Sequence, residues 1–328
     1  MVQPVALTRE NLRGVWAAIA TPFDEHDQID EESFRENVRR LAAAGVDGIY
    51  TTDSDGEFYG LDLDEFKRLV DIFADETARI GIPTQVGVTW TNTAGMIDRI
   101  RHAADRGILG AHIGHPYFMD MTSESYRQFW LDIAGAVPSE FALIHYNTPR
   151  VHNTQTGADY AQLSELLPNL VGTKQVTSSF PEFLSITQQA PDLAHFTGEH
   201  ALVPFTLFGA VGLYSWLVNF NAPYVVAWYQ ECLAGNLEAA ARRQIRVNAM
   251  NDLKLSIFGR DNYHAILNKG MAAASEFLVG HHRTRRPYLP VPDAKVAEFR
   301  RRMEEDFPDL VWHPQPAVVS GDLMSAKA

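Results

Sequence analysis

The chain has 328 residues, of which 46% are hydrophobic and 21% charged, enough apolar material for one large folded domain. Its formal net charge of -13 would repel a phosphate backbone or an anionic membrane surface, so neither nucleic acid nor membrane is expected as a partner. Cys232 is the only cysteine, which excludes an internal disulfide network, and without an apolar leader or span the chain is expected to be cytoplasmic.

Apolar runs of strand length alternate with amphipathic segments along the chain, a pattern typical of βα units with a parallel sheet. Most of these runs are continuous rather than alternating, as expected for strands that are covered on both faces. The eight strand candidates are 15–21, 48–52, 83–89, 110–114, 141–147, 171–176, 194–198 and 211–216. Eight strands at this spacing predict a (β/α)8 barrel, the TIM-barrel form of the α/β class.

Helical periodicity fills the intervals between the strand candidates, as in Phe34, Val38 and Leu41. After the eighth strand the pattern is helical only, which predicts a C-terminal helical extension that packs on the barrel. The predicted organisation is therefore a leader over 1–11, the barrel over 12–222, the helical extension over 223–312 and a flexible tail over 313–328.

Lys174 lies in the middle of the sixth strand candidate, "LVGTKQV", where its neighbours are apolar. A desolvated lysine loses affinity for its proton, and the uncharged amine attacks carbonyl groups to form a Schiff base. In the structural interpretation, the lysine instead pairs with a buried carboxylate or extends to the barrel rim. Lys174 by itself does not decide between the two.

Tyr146 lies at the end of the fifth strand candidate, in "FALIHYNTPR". Active sites of these barrels form at the carboxyl ends of the strands, so Tyr146 and Lys174 should lie within reach of each other. A phenol beside an imine can transfer protons, although a tyrosine in this position can equally be a packing residue. The pair predicts imine chemistry more strongly than either residue alone.

These residues, with "TPF" (21–23), "DGE" (55–57), "YNTP" (146–149), "GTK" (172–174), "TGE" (197–199) and "GAVGLYSWLVNFNAP" (209–223), resemble the dihydrodipicolinate synthase / N-acetylneuraminate lyase family of class I aldolases. The resemblance covers roughly residues 12–290. It implies a Schiff base on Lys174, proton transfer by Tyr146, a 2-oxo acid substrate such as pyruvate, no cofactor and no metal, and a homotetramer built from dimers. It also implies substrate contacts at Ser54, Asp55, Phe118, Gly198 and Tyr214.

Three departures from the family pattern argue against a role in lysine biosynthesis. Ser54 and Asp55 stand where many members have two threonines that hold the substrate carboxylate. An ionised Asp55 would repel that carboxylate, so it either points away, takes a proton or meets a hydrogen-bond donor of the substrate; a turn-capping aspartate is the structural alternative. Phe118 replaces a proton-relaying tyrosine, and Arg150 stands one position early, with Val151 in the expected arginine position.

The segment 115–138 looks most similar to the hydratase-aldolases, which cleave aryl-substituted unsaturated 2-oxo acids into an aromatic aldehyde and pyruvate. An apolar pocket that includes Phe58, Tyr59, Phe118 and Trp216 would suit an aryl group. The prediction is a Schiff-base lyase, an aldolase or hydratase-aldolase. A dehydratase that uses the same imine and a non-catalytic ligand-binding protein are the alternatives.

Several histidines raise the further alternative of a metal-dependent barrel hydrolase, in which ligands lie at strand ends. This interpretation is disfavoured because the first strand carries no His-x-His pair and the imine route needs no metal. The histidines concerned are His112, His115, His145 and His200.

Overall fold

The structure is a computed structural model that describes residues 5–152, 154–262 and 264–314. Eight parallel strands form a closed barrel in sequence order, with β1 hydrogen-bonded to both β2 and β8. The strands are β1 (Gly14–Ala18), β2 (Gly48–Thr51), β3 (Thr84–Gly87), β4 (Gly110–Ile113), β5 (Ala142–Asn147), β6 (Leu170–Gln175), β7 (Ala194–Thr197) and β8 (Gly212–Ser215). The predicted (β/α)8 fold is confirmed, and each of the eight strand candidates overlaps one of these strands.

Helices connect the strands and continue beyond the last of them. They are α1 (Glu31–Ala43), α2 (Leu63–Ile80), α3 (Thr93–Asp105), α4 (Ser123–Ala134), α5 (Gly157–Leu166), α6 (Phe180–Gln189), α7 (Leu202–Thr206), α8 (Val218–Leu233), α9 (Leu237–Phe258), α10 (His264–Ser275) and α11 (Asp293–Asp306). Each helix in the described part of the chain is too short or too polar to span a membrane.

The predicted end of the barrel at residue 222 falls inside α8, which is bent where Asn221 leaves the helical conformation and Pro223 follows. Proline lacks the N–H that would continue the hydrogen-bond ladder, so the ladder is broken there, and the longer piece that follows packs on β1 and β8 as the eighth helix of the barrel. The extension then consists of α9 to α11. Of the predicted tail, His313 and Pro314 are described, and the remainder lies outside the described residues.

Successive side chains along each strand point alternately into the barrel and out toward the helices. The inward set forms one apolar cluster with Trp16, Tyr50, Ile144 and Tyr214, whereas the outward set joins the larger core beneath the helices. On β5 this alternation turns Tyr146 inward, because Ile144 belongs to the inner cluster. On β6 a register shift after Leu170 interrupts the alternation, and Lys174 faces inward as the register partner of Tyr146. The barrel thereby brings polar side chains into its mouth.

Gly212 is a position where the barrel admits no side chain. A Cβ there would overlap the carbonyl oxygen of Gly14 on β1 and lie 2.8 Å from the ring of Phe196. We expect Gly212→Ala to lower the free energy of unfolding by about 1–3 kcal/mol through overpacking. Gly135→Ala adds the same methyl group at helical φ of -71° and should change stability by less than about 0.5 kcal/mol. Equal urea midpoints for the two variants would contradict the close approach of β1 and β8.

Candidate active site

Lys174 lies on β6 directly beside Tyr146 on β5, since the two residues are register partners in the parallel ladder. The Lys174 side chain is 11% exposed, and Tyr146 is buried. Both side chains lie near the carboxyl ends of their strands, the end of the barrel where active sites form. The tertiary structure thus unites the two residues that the sequence analysis singled out.

Three side chains lie nearest to the Lys174 ammonium. Nζ donates a hydrogen bond to the phenol oxygen of Tyr50, 2.8 Å away, and another to Oδ2 of Asp53, 3.0 Å away. It also lies 4.0 Å from the centre of the Tyr146 ring, a distance at which a cation is attracted to the aromatic face. The phenol that is hydrogen-bonded to Nζ is therefore that of Tyr50, whereas Tyr146 presents its ring.

Of the two interpretations left open for Lys174, the structure shows the lysine paired with a buried carboxylate, so its amine is charged in the free protein. Burial by itself favours the neutral amine, but the adjacent Asp53 carboxylate outweighs it and raises the pKa of Lys174 well above its ordinary value. The same ion pair overcomes the effect of burial on Asp53 and holds the pKa of that carboxyl well below its ordinary range. The resting site is thus an ammonium–carboxylate pair, and Lys174 must lose a proton before it can attack a carbonyl carbon.

His112 on β4 lies against the same group of side chains without adding charge. Its Nδ1 is 3.6 Å from Oδ2 of Asp53, and its ring stacks on Tyr50 with the centres 4.6 Å apart. Complete burial lowers the pKa of His112 to about 4, so the imidazole is neutral near pH 7. His112 packs Tyr50 and Asp53 into place, and Asp53 is left as the anion in contact with Lys174.

A pocket of about 330 Å³ opens above this pair at the barrel mouth. Asp53, Ser54 and Tyr146 form part of its wall, and aromatic side chains form much of the remainder. The full lining is Asp53, Ser54, Phe58, Tyr59, Thr89, Gly114, Tyr117, Tyr146, Thr148, Arg150, Val151 and Tyr288. Larger clefts of about 640 and 800 Å³ lie elsewhere on the surface, lined by none of the predicted site residues. Chemistry rather than size therefore selects the smaller pocket.

The loop after β2 is held by contacts to α10. Oδ1 of Asp55 accepts a hydrogen bond from Nδ2 of Asn268 at 2.7 Å and lies 3.6 Å from Nε2 of His264. Glu57, in the next turn, forms an ion pair with Lys269 of the same helix. Of the alternatives left open for Asp55, the structure shows a carboxylate directed at the helical extension rather than into the pocket.

The other predicted substrate contacts are placed unevenly. Ser54 lines the pocket, but Tyr214 is buried below it, with its hydroxyl donated to Gln85 at 2.9 Å. Gly198 begins the short helical turn after β7 and does not line the pocket. Phe118 is 78% exposed on the loop after β4, outside the pocket, whereas its neighbour Tyr117 lines the wall.

Arg150 lines the pocket, although its position in the sequence is one residue early for the family's arginine. The short helical turn Pro149–Val151 rotates the chain after β5, and Thr148 caps this turn. Counting positions from a family motif places side chains correctly only while the backbone keeps the same conformation. A tight turn changes the direction in which each side chain points. The guanidinium supplies a positive charge to an otherwise largely apolar wall.

Lys254 on α9 is a second buried lysine near the mouth. Its Nζ donates a hydrogen bond to Oδ1 of Asn268 at 3.1 Å and lies 3.6 Å from the centre of the Trp216 ring. Burial lowers the pKa of Lys254 to about 8. Burial alone therefore does not distinguish Lys174 from Lys254 as a candidate nucleophile.

The two hydrogen-bond partners of Lys174, Asp53 and Tyr50, could not be predicted from the sequence. Both come from β2 and the loop after it, which lie across the barrel from β6. Contacts between strands on opposite sides of a barrel cannot be inferred from the spacing of residues along the chain. A partial signal was present, because Asp53 and Asp55 both follow a buried strand at its carboxyl end. Only the closed barrel decides which of the two acids meets the lysine.

The histidines do not assemble a metal site. No group of three or more His, Cys, Asp or Glu side chains within residues 5–152, 154–262 and 264–314 is arranged to hold a metal ion. His145 instead faces outward, where Nδ1 lies 2.6 Å from the Tyr160 hydroxyl and the ring stacks on His115. His115 and His145 thus pack between the barrel and α4, where both rings contact Trp130.

Known proteins are similar to this chain over most of its length. The profile of the dihydrodipicolinate synthetase family matches residues 11–306. A 4-hydroxy-tetrahydrodipicolinate synthase of Methanothrix thermoacetophila is 29% identical over 72% of this chain and 79% of its own length. An N-acetylneuraminate lyase of Rhizobium meliloti is 28% identical over 92% of this chain and 96% of its own length.

Solved structures share the architecture. The prophage protein YagE of E. coli K12, solved in complex with pyruvate, superposes with a TM-score of 0.81 at 21% identity and covers 90% of this chain and 98% of its own. PhdJ, solved with a bound substrate intermediate, gives a TM-score of 0.79 at 23% identity and covers 92% of this chain and 97% of its own. At these identities the likeness establishes the fold.

Proposed function

This chain belongs to the dihydrodipicolinate synthetase family, and on that premise we propose that it is a class I lyase that holds a 2-oxo acid as an iminium on Lys174. The lyase makes or breaks the carbon–carbon bond next to the carbonyl carbon. The observation that carries the proposal is the position of the buried Nζ of Lys174. It lies beside Tyr146 and Asp53, and these two side chains line a pocket.

The chemistry follows from the electron demand of the iminium. A protonated C=N bond withdraws electrons from the adjacent carbon, so a bond at that carbon can break with its electron pair stored as an enamine. Tyr146, whose ring packs under Nζ, is the proposed proton donor and acceptor for the leaving and entering groups. No cofactor is needed for this sequence of steps.

The proposed substrate is an aryl-substituted unsaturated 2-oxo acid, cleaved after hydration to an aromatic aldehyde and pyruvate. Phe58, Tyr59, Tyr117 and Tyr288 give the pocket an aromatic wall that suits a flat apolar group. Such a wall suits the small polar semialdehyde of lysine biosynthesis less well. We therefore propose a role outside lysine biosynthesis, in a homotetrameric cytoplasmic enzyme.

The test is reductive trapping on the intact protein. Pyruvate plus borohydride should leave an adduct on the Lys174 peptide, with the mass of pyruvate minus water plus two hydrogens, and no adduct in Lys174→Met. Lys254→Met is the matched control and should trap like the native protein, because its amine belongs to a separate buried site. An adduct mapped to Lys254 alone, or none with any 2-oxo acid, would overturn the proposal.

A further inference from the structure

Asp53 contacts Lys174 and also lines the pocket, so a substrate bound to Nζ would contact the same carboxylate. The aspartate is buried, and its Oδ2 faces both Nζ at 3.0 Å and His112 at 3.6 Å. A buried carboxylate is costly unless it is paired with a cation, so the pair holds both charges in place. The same carboxylate is positioned to stabilise any cation formed at Nζ.

We propose that Asp53 is the counter-ion of the Lys174 iminium and the group that carries protons from Nζ to the carbonyl oxygen during imine formation. This inference rests on the proposed function, because it requires an iminium on Lys174. It assigns to Asp53 a step that is separate from the proton transfer proposed for Tyr146 at the carbon–carbon bond.

The proton balance of imine formation needs no other acid or base. The resting ammonium carries three protons; Asp53 accepts the first, and the nitrogen lone pair then forms the C–N bond while the carbonyl π pair moves to oxygen. Asp53 returns that proton to the oxygen and transfers a second from nitrogen to the same oxygen. Water then leaves as the nitrogen lone pair forms the C=N bond. One proton stays on nitrogen, so the charge beside Asp53 is positive before and after.

The other groups around Nζ cannot take this role as readily. Burial raises the pKa of Tyr50 well above its ordinary value and that of Tyr214 above its ordinary value, so both phenols stay neutral. His112 is neutral as well, because burial lowers its pKa to about 4. The titratable groups facing Nζ are Tyr50 on β2, Asp53 after β2, His112 on β4, Tyr146 on β5 and Tyr214 on β8.

The ion pair has an opposing effect on the first step. Because Asp53 stabilises the ammonium, transfer of the first proton from Nζ to Asp53 is uphill. Raising the pH offers a second path, because solvent removes that proton as pH approaches the raised pKa of Lys174. Once the iminium forms, the same attraction keeps its nitrogen protonated and therefore electron-withdrawing. Removal of the Asp53 carboxylate should therefore make the uncharged amine easier to form but lower the rate of turnover.

The experiment compares Asp53→Asn with the native protein in two assays. The first measures the rate of imine formation from pyruvate across pH, by stopping timed samples with borohydride. In Asp53→Asn the midpoint of the rate–pH curve should move down by about 1–3 pH units, because an opposite charge at this distance shifts a pKa by that amount. The second measures turnover, which should fall at every pH.

Asp55→Asn is the matched control, since it makes the same chemical change on a carboxylate held by Asn268 rather than by Nζ. Its midpoint for imine formation should stay at the native position. A native midpoint in Asp53→Asn, with trapping intact, would overturn the role of Asp53 while leaving the imine proposal standing. Absence of any adduct in the native protein would instead overturn the proposed function itself.

Discussion

Replacing Lys174 with methionine should lower the free energy of unfolding by about 3–5 kcal/mol, because it leaves the buried Asp53 carboxylate without its cation. Methionine keeps the length of the side chain, so little of the loss would come from a cavity. Urea denaturation of Lys174→Met and the native protein at neutral pH measures the difference. A change below about 1 kcal/mol would contradict the ion pair.

The double variant Lys174→Met/Asp53→Asn is the control for this prediction. It removes both charges, and a neutral buried pair avoids the penalty of an uncompensated carboxylate, so most of the lost stability should return. Catalytic activity should not return, because the amine is absent. A double variant as unstable as Lys174→Met would show that the lysine contributes through packing rather than through its charge.

The stability difference should shrink on acidification. In the native protein the pKa of Asp53 is depressed in the folded state, so its stabilisation is present above the unfolded pKa of about 3.9 and is lost as pH falls through the lower folded value. In Lys174→Met, burial without a cation should raise the pKa of Asp53 instead. Protonation then relieves the penalty, and the two unfolding curves approach each other as pH falls.

Tyr146→Phe should reduce turnover by about 10²–10⁴-fold while leaving the Lys174 adduct trappable. The phenol is the proposed proton donor and acceptor at the carbon–carbon bond, whereas the ring that packs under Nζ is retained by phenylalanine. Pyruvate release from an aryl-substituted unsaturated 2-oxo acid measures turnover, and borohydride trapping of pyruvate measures the imine. Loss of both activities together would indicate that Tyr146 supports the structure of the site instead.

Tyr50→Phe is the matched comparison for Tyr146, because its phenol oxygen accepts the hydrogen bond from Nζ. We expect a smaller loss of turnover than in Tyr146→Phe, since Tyr50 positions the nitrogen and the Tyr50 hydroxyl does not line the pocket. If Tyr50→Phe were the more damaging change, the proton transfer would belong to Tyr50. The pair of variants thus decides which of the two phenols acts on the substrate.

The sequence by itself determined the architecture and the central pair of residues. Hydrophobic runs of strand length at regular intervals predict eight parallel strands because a strand covered on both faces must be apolar throughout. Tyr146 and Lys174 could be paired in advance because consecutive strands of such a barrel are neighbours, and the structure places them in register. Local structure, and contacts between strands that follow one another in the chain, can therefore be predicted from the order of residues.

The tertiary structure alone decided the charge of the site. Lys174 on β6 meets Asp53 and Tyr50 from the opposite side of the barrel, and this contact makes Lys174 an ammonium, whereas burial alone would favour the free amine. Tertiary placement likewise turned Asp55 toward α10, brought Arg150 into the pocket wall and left Phe118 exposed. These outcomes depend on distances of a few ångströms between residues far apart in the chain. The energy of an electrostatic interaction changes steeply over such distances, and hydrophobic periodicity in the sequence does not predict these distances.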